Sequence, residues 1–166
     1  MAIEVFEIKW TKRFPVTKAL QQPEAVERGI YAYYIGDKLH LFGKTKEDFR
    51  QRFSTRNQYA KNYMDETQIK KGYACFGLIS VFAKSRMGNG CTPKQLKDIE
   101  SYFINRFDTK GNDESTRKGY KGDSIIVINS GIIPKEFDKV MSPYPELLKV
   151  LKRNIKFKTS DSDDEF

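Results

Sequence analysis

The chain opens on an alternation. In Ile3-Glu4-Val5-Phe6-Glu7-Ile8-Lys9-Trp10 apolar and polar residues exchange roughly every second position, the period of a half-buried strand. A stretch interrupted by Pro15 and Pro23 follows and predicts a linker or short helix. Two apolar runs, 29–35 and 39–43, are separated by Gly36-Asp37-Lys38, which predicts a β-hairpin. Thr45, with Asp48 three residues later, predicts an N-cap and a helix running to about Arg56. Residues 57–71 are polar and basic without a clear stripe, and Tyr73 to Phe82 predicts a buried strand closed by the loop 84–90.

Thr92-Pro93-Lys94-Gln95 is a strong helix start, with Thr at the N-cap, Pro in the first turn and Gln closing the capping box. That helix is expected to end near Phe107, ahead of Lys110-Gly111-Asn112. Ser124–Asn129 predicts another strand. Pro145 opens a last helix with Leu147, Leu148, Leu151 and Ile155 apolar and Lys149, Lys152, Arg153 and Lys156 on its other sides. The order predicts an α+β fold: a small, mostly antiparallel central sheet flanked by helices, with an added N-terminal strand and an added C-terminal strand and helix. Residues 1–158 are expected to form a single domain and 159–166 a disordered acidic tail.

Two of the predicted helices carry ionic groups where apolar ones belong. In the helix from Thr92, Leu96, Ile99, Phe103 and Phe107 form one stripe, and Glu100 projects from within it. A carboxylate there must find a cation or hydrogen-bond donors, or else lie at the stripe's margin and reach water. In the helix after Thr45, Phe49 and Phe53 mark the buried face while Arg52 and Arg56 fall between or beside them. An arginine so placed either pairs with an acid or grips a phosphate with its fork of donors. Two such helices together predict a site between them and the sheet.

Charge sharpens this picture. The 166 residues carry a net +8, yet Asp161, Asp163, Asp164 and Glu165 crowd the final six positions. Removing those four from 22 acids leaves 18 against 30 bases, so the rest of the chain stands at +12. That excess suits a polyanionic partner, although a basic soluble protein without one has the same composition. With 9 Tyr and 12 Phe, the 39% of hydrophobic residues suffices for a core of few, large side chains. Cys75 and Cys91 match no zinc spacing, His40 is the single histidine, and no apolar run approaches a membrane span. These features predict a reduced, intracellular protein, in cytoplasm or nucleus, with no signal peptide.

Gly29-Ile30-Tyr31 opening a strand, a second strand ending in Gly43, Arg52 nine residues later and a helical Glu100 together resemble the GIY-YIG nuclease superfamily. The likeness covers roughly residues 29–112. Tyr34-Ile35-Gly36 spells the second motif of that family but lies too near the first; Leu41-Phe42-Gly43 is at the expected distance, so Leu41 replaces the motif's Tyr. The phrase Leu-Phe-Gly-Lys-Thr looks like that of divergent members from phages and large DNA viruses.

The resemblance implies a DNA endonuclease. Tyr31 would position or deprotonate the attacking water, Arg52 would contact the scissile phosphate, Glu100 would bind Mg²⁺ or Mn²⁺, and Asn112 would support the site. Lys44 is the better substitute for the missing second-motif contact, because alternation turns His40 away from residue 41, and Arg56 stands where the family has a His. Free tyrosine titrates at about 10, so a base role asks for neighbouring cations. DNA contacts are expected from Arg86, Lys94, Lys110, Arg117, Lys118 and Lys121, mostly to phosphates. A homodimer is compatible with cutting two strands. Two other classes stay open: a catalytically impaired module of the same fold serving DNA binding or viral assembly, and an RNA-binding protein using its aromatics for stacking.

Overall fold

The computed structural model describes residues 3–45, 47–54, 71–81 and 91–149. The predicted α+β class holds: one curled, mostly antiparallel sheet of seven strands carries helices on both faces. The strands are β1 (Glu4–Trp10), β2 (Phe14–Pro15), β3 (Gly29–Ile35), β4 (Lys38–Lys44), β5 (Gly72–Val81), β6 (Ile125–Gly131) and β7 (Val140–Met141). Their order is β4-β3-β5-β1-β6-β7, with β2 also paired to β5. Among the described residues α1 (Phe49–Phe53) and α2 (Pro93–Phe107) are α-helices, and 3₁₀ turns occupy Val16–Gln21, Pro23–Val26 and Glu114–Arg117. Residues 145–149 are helical, as the Pro145 start predicts, while Leu151, Ile155 and the 159–166 tail lie outside the described residues.

The N-terminal strand is no appendage. β1 lies inside the sheet, antiparallel to β5 and parallel to β6, and its alternation puts Phe6, Ile8 and Trp10 into the core. Trp10 satisfies its indole N–H on buried Asn129 Oδ1 at 2.8 Å, so the aromatic mass enters the interior without an orphaned donor. The long β5 holds the two halves together. Its first residues pair with β3 and β2, and its last with β1.

Period-two alternation divides β3 between two cores. Ile30, Ala32 and Tyr34 face α2, packing in the larger cluster with Phe42, Ile99, Phe103 and Phe137. Tyr31 and Tyr33 face the other way, joining Leu41, Phe49, Ala74 and Phe76 in a smaller one. α2 is anchored at its start by the predicted capping box, with Thr92 accepting from the Gln95 N–H and Gln95 accepting from the Thr92 N–H. It ends on Asp108 in the left-handed region, φ 46°.

The helix predicted from Thr45 is corrected. Asp48 is the N-cap, its carboxylate accepting from Gln51 N–H at 2.7 Å, and α1 ends at Phe53 with Ser54 as its C-cap. Thr45 is buried and bonded to Gly29 instead. Residues 57–70 and the 84–90 loop fall outside the described residues.

Candidate active site at the open end of a hairpin

β3 and β4 are joined at one end by the Gly36-Asp37 turn and part at the other, between Gly29 and Thr45. The open end is closed by Thr45. Its N–H donates to the Gly29 carbonyl at 3.0 Å, and its hydroxyl accepts from the Gly29 N–H at 3.1 Å. One buried threonine therefore satisfies both polar groups of a glycine that β5 crowds: a Cβ on Gly29 would overlap the Gly77 carbonyl. α1 is docked beside it by a bond from Phe49 N–H to the Glu27 carbonyl at 3.0 Å and by the stacking of Phe49 on Phe76.

On the α1 face, Tyr31 stands directly opposite Gly43 in the ladder. A Cβ on Gly43 would overlap the Tyr31 ring, so the glycine is the seat on which the phenol lies. Phe53 closes the ring's other side at a centroid distance of 4.8 Å. The buried Tyr31 then holds its oxygen within reach of Arg52, whose Nε–H donates to it at 3.3 Å. Two of the candidate site residues, Tyr31 and Arg52, are thus brought together. Leu41 is buried in the same small cluster, where it contributes packing and no polar group.

On the α2 face, one residue along β4, Lys44 Nζ meets Glu100 Oε1 at 3.1 Å. Burial pushes the Glu100 carboxyl above its ordinary range, opposed by the Lys44 ammonium and, more weakly, by the charge of Arg52. Glu100 therefore does not escape to water at the margin of its stripe. It lies with its side chain 18% exposed against a lysine that is 34% exposed, and Arg52 is near enough to act on it electrostatically. Tyr31, Arg52, Lys44 and Glu100 come from β3, α1, β4 and α2, and they gather around the last two residues of β4.

Asn112 lies against the outer edge of β4. Its side-chain amide accepts from the Phe42 N–H at 3.0 Å and donates to the Phe42 carbonyl at 2.9 Å, as another strand would. Thr109 donates to the same Asn112 oxygen at 2.6 Å, and Gly111 N–H donates to the His40 carbonyl at 2.8 Å. These contacts cover the outer edge of β4 at His40 and Phe42. Asn112 thereby fixes the strand that carries Gly43 and Lys44. His40 is the extra residue of a β-bulge where the ladder slips between Tyr33–Leu41 and Tyr34–Leu39. It sits by Gly111 on the edge, and burial holds its imidazole below the usual pKa.

The remaining expected residues are spread out. Lys94 lies between Asp98 and Asp123 at 2.9 and 2.7 Å, and Lys110 pairs with Asp108 at 2.6 Å. Arg117 reaches Asp108 at 3.2 Å and the Asn112 carbonyl at 3.2 Å, bracing the loop that clamps β4. Lys118 and Lys121 are exposed and have no ion-pair partner among the described residues. Arg56 and Arg86 lie outside the described residues. Among the described residues no three His, Cys, Asp or Glu side chains are grouped to hold a metal ion, and no helix is long and apolar enough to cross a membrane. No family model, no curated protein and no solved structure matches the chain.

Proposed function

We propose that the chain is a metal-dependent DNA endonuclease, with its chemistry at the open end of the β3–β4 hairpin. One observation carries the reading: a tyrosine–arginine pair and a lysine–glutamate pair, drawn from four elements, meet around Gly43 and Lys44. Cations, a phenol and a shielded carboxylate are the groups that phosphodiester hydrolysis asks for.

Hydrolysis forms a bond from a water oxygen to phosphorus and breaks the bond to the leaving oxygen, with one proton lost from the water and one gained by the leaving group. Arg52 and Lys44 stabilise charge on the phosphoryl oxygens, and the Tyr31 oxygen, held by Arg52, directs or accepts the water's proton. Glu100 suits a hard divalent cation, because its shielded carboxylate already meets one cation and Mg²⁺ needs only one or two carboxylates beside phosphate oxygens and water. Bound there, Mg²⁺ or Mn²⁺ would polarise the phosphate and ease departure of the leaving oxygen. Lys118 and Lys121 supply exposed charge for a phosphate backbone.

A second reading also has an observation behind it. Asn112 bonds the backbone of an edge strand, Glu100 is already paired with Lys44, and Leu41 is apolar, which suits a module that binds DNA without cutting it. A nicking assay separates the two, with Mg²⁺, on supercoiled, linear and branched DNA. Wild type is expected to cut, and Glu100→Gln to lose roughly a hundredfold or more. Tyr31→Phe is expected to cut slowly with a changed pH–rate profile; an unchanged profile removes the base assignment from Tyr31. DNA binding with no cutting by wild type selects the module, and a preference for single-stranded RNA without metal dependence rejects both.

A further inference from the structure

The geometry points to Lys44 as a displaceable internal counter-ion, which holds the cation position at Glu100 until a substrate phosphate draws its ammonium away. This rests on the endonuclease reading above and adds how the site is kept when no DNA is bound.

The strand that carries Lys44 cannot readily shift: Asn112 holds Phe42 two residues before, and Thr45 ties the next residue to Gly29. The ammonium that meets Glu100 at 3.1 Å is by contrast at the end of a four-carbon stem, and the side chain is one-third exposed. Removing the ammonium leaves the carboxylate without its neutralising charge. A buried carboxylate in that state is costly, so another cation is needed. Lys44 therefore does two things at different times. Paired, it neutralises the carboxylate and weakens divalent-ion binding by occupying it; released, it becomes a phosphate contact one residue from the seat of Tyr31. A phosphodiester competes for the ammonium because it offers oxygens that carry the same charge as Glu100 in a more solvated place. Cation and DNA binding are then mutually reinforcing, since each one favours the arrangement that the other uses.

The test is Mn²⁺ binding without DNA, read by the electron paramagnetic resonance of free Mn²⁺ at pH 8. Lys44→Met keeps the stem and removes the charge. It is expected to bind Mn²⁺ about tenfold tighter than wild type or more. Lys44→Arg is expected to stay near wild type, and Lys44→Met/Glu100→Gln to lose the gain. In the wild type, Mg²⁺ should shift the side-chain carbon resonance next to the Lys44 ammonium, a readout independent of whether Lys44→Met folds. Equal affinity in wild type and Lys44→Met, a gain that survives Glu100→Gln, or a Lys44 resonance unmoved by saturating Mg²⁺ overturns the proposal. The nicking assay stands apart: a wild type that cuts while Lys44→Met gains nothing defeats only the counter-ion role. Tighter binding by Lys44→Met in a chain that never cuts defeats only the endonuclease reading.

Discussion

The two ends of the β3–β4 hairpin are built from the same two strands and differ in almost every physical respect. The turn end is exposed. There the Arg13–Asp37 ion pair, at 2.9 Å, leaves the Asp37 side chain 86% exposed. At the open end the polar groups are shielded: Thr45 is buried on Gly29, Tyr31 lies over Gly43, and Glu100 is held by Lys44. A turn needs only a backbone that can reverse, which Gly36 provides with φ 60°. Shielded ions and hydroxyls need partners, and Thr45, Tyr31 and Glu100 have them. The comparison teaches that solvation, more than residue type, separates surface decoration from a candidate site. Asp37 and Glu100 are both carboxylates beside a cation, but Arg13 holds Asp37 below its ordinary range while burial holds Glu100 above it.

Substitutions at the two ends therefore separate. The largest stability effect is expected at Gly43→Ala, whose methyl must displace the Tyr31 ring; chemical denaturation should show a loss of about 2 kcal/mol. A Gly43→Ala protein as stable as wild type means that Tyr31 is not seated as described. Thr45→Val preserves shape but removes the hydroxyl that accepts from the Gly29 N–H, and about 1–2 kcal/mol should be lost in the same measurement.

Glu100→Gln gives a pH signature in place of a plain loss. A carboxyl whose pKa is raised by folding holds its proton more tightly in the folded chain, so its contribution favours folding at low pH and fades as pH rises through the raised value. The neutral glutamine does not follow that curve. Its melting temperature relative to wild type should rise from acid toward neutral pH and then level off; a difference that falls over that range contradicts a burial-dominated Glu100. The smallest effect is expected at Asp37→Ala, where thermal melts should be indistinguishable from wild type, since an exposed pair is screened by water and salt. A clear drop there removes the contrast between the ends.

Much of this arrangement was legible in the chain, because its signals are local. Alternation marked β1, the apolar runs around Gly36-Asp37-Lys38 marked the hairpin, and Thr92 and Gln95 marked the start of α2. Glu100 was visible as a carboxylate out of place on an apolar stripe, and the lysine it needed was already a candidate. What stayed hidden depends on distant partners. Thr45 followed by Asp48 reads as a cap by local rules, yet its hydroxyl is claimed by Gly29, sixteen residues earlier. Asn112 reads as a loop residue, but its amide lies on Phe42, across seventy positions of chain. The parallel pairing of β1 with β6 joins strands more than a hundred residues apart and leaves no periodic trace. The bulge at His40 is similar, since one inserted residue is invisible until both strands of the ladder are seen.

The central claim is that phosphodiester chemistry belongs to the open end of the hairpin. Its most direct test is the single-turnover rate of plasmid nicking with Mg²⁺ for wild type, Asp37→Ala and Glu100→Gln, each confirmed as folded. The account predicts equal rates for wild type and Asp37→Ala, and a rate at least about a hundredfold lower for Glu100→Gln. Undiminished nicking by Glu100→Gln, or no nicking by the folded wild type, contradicts it.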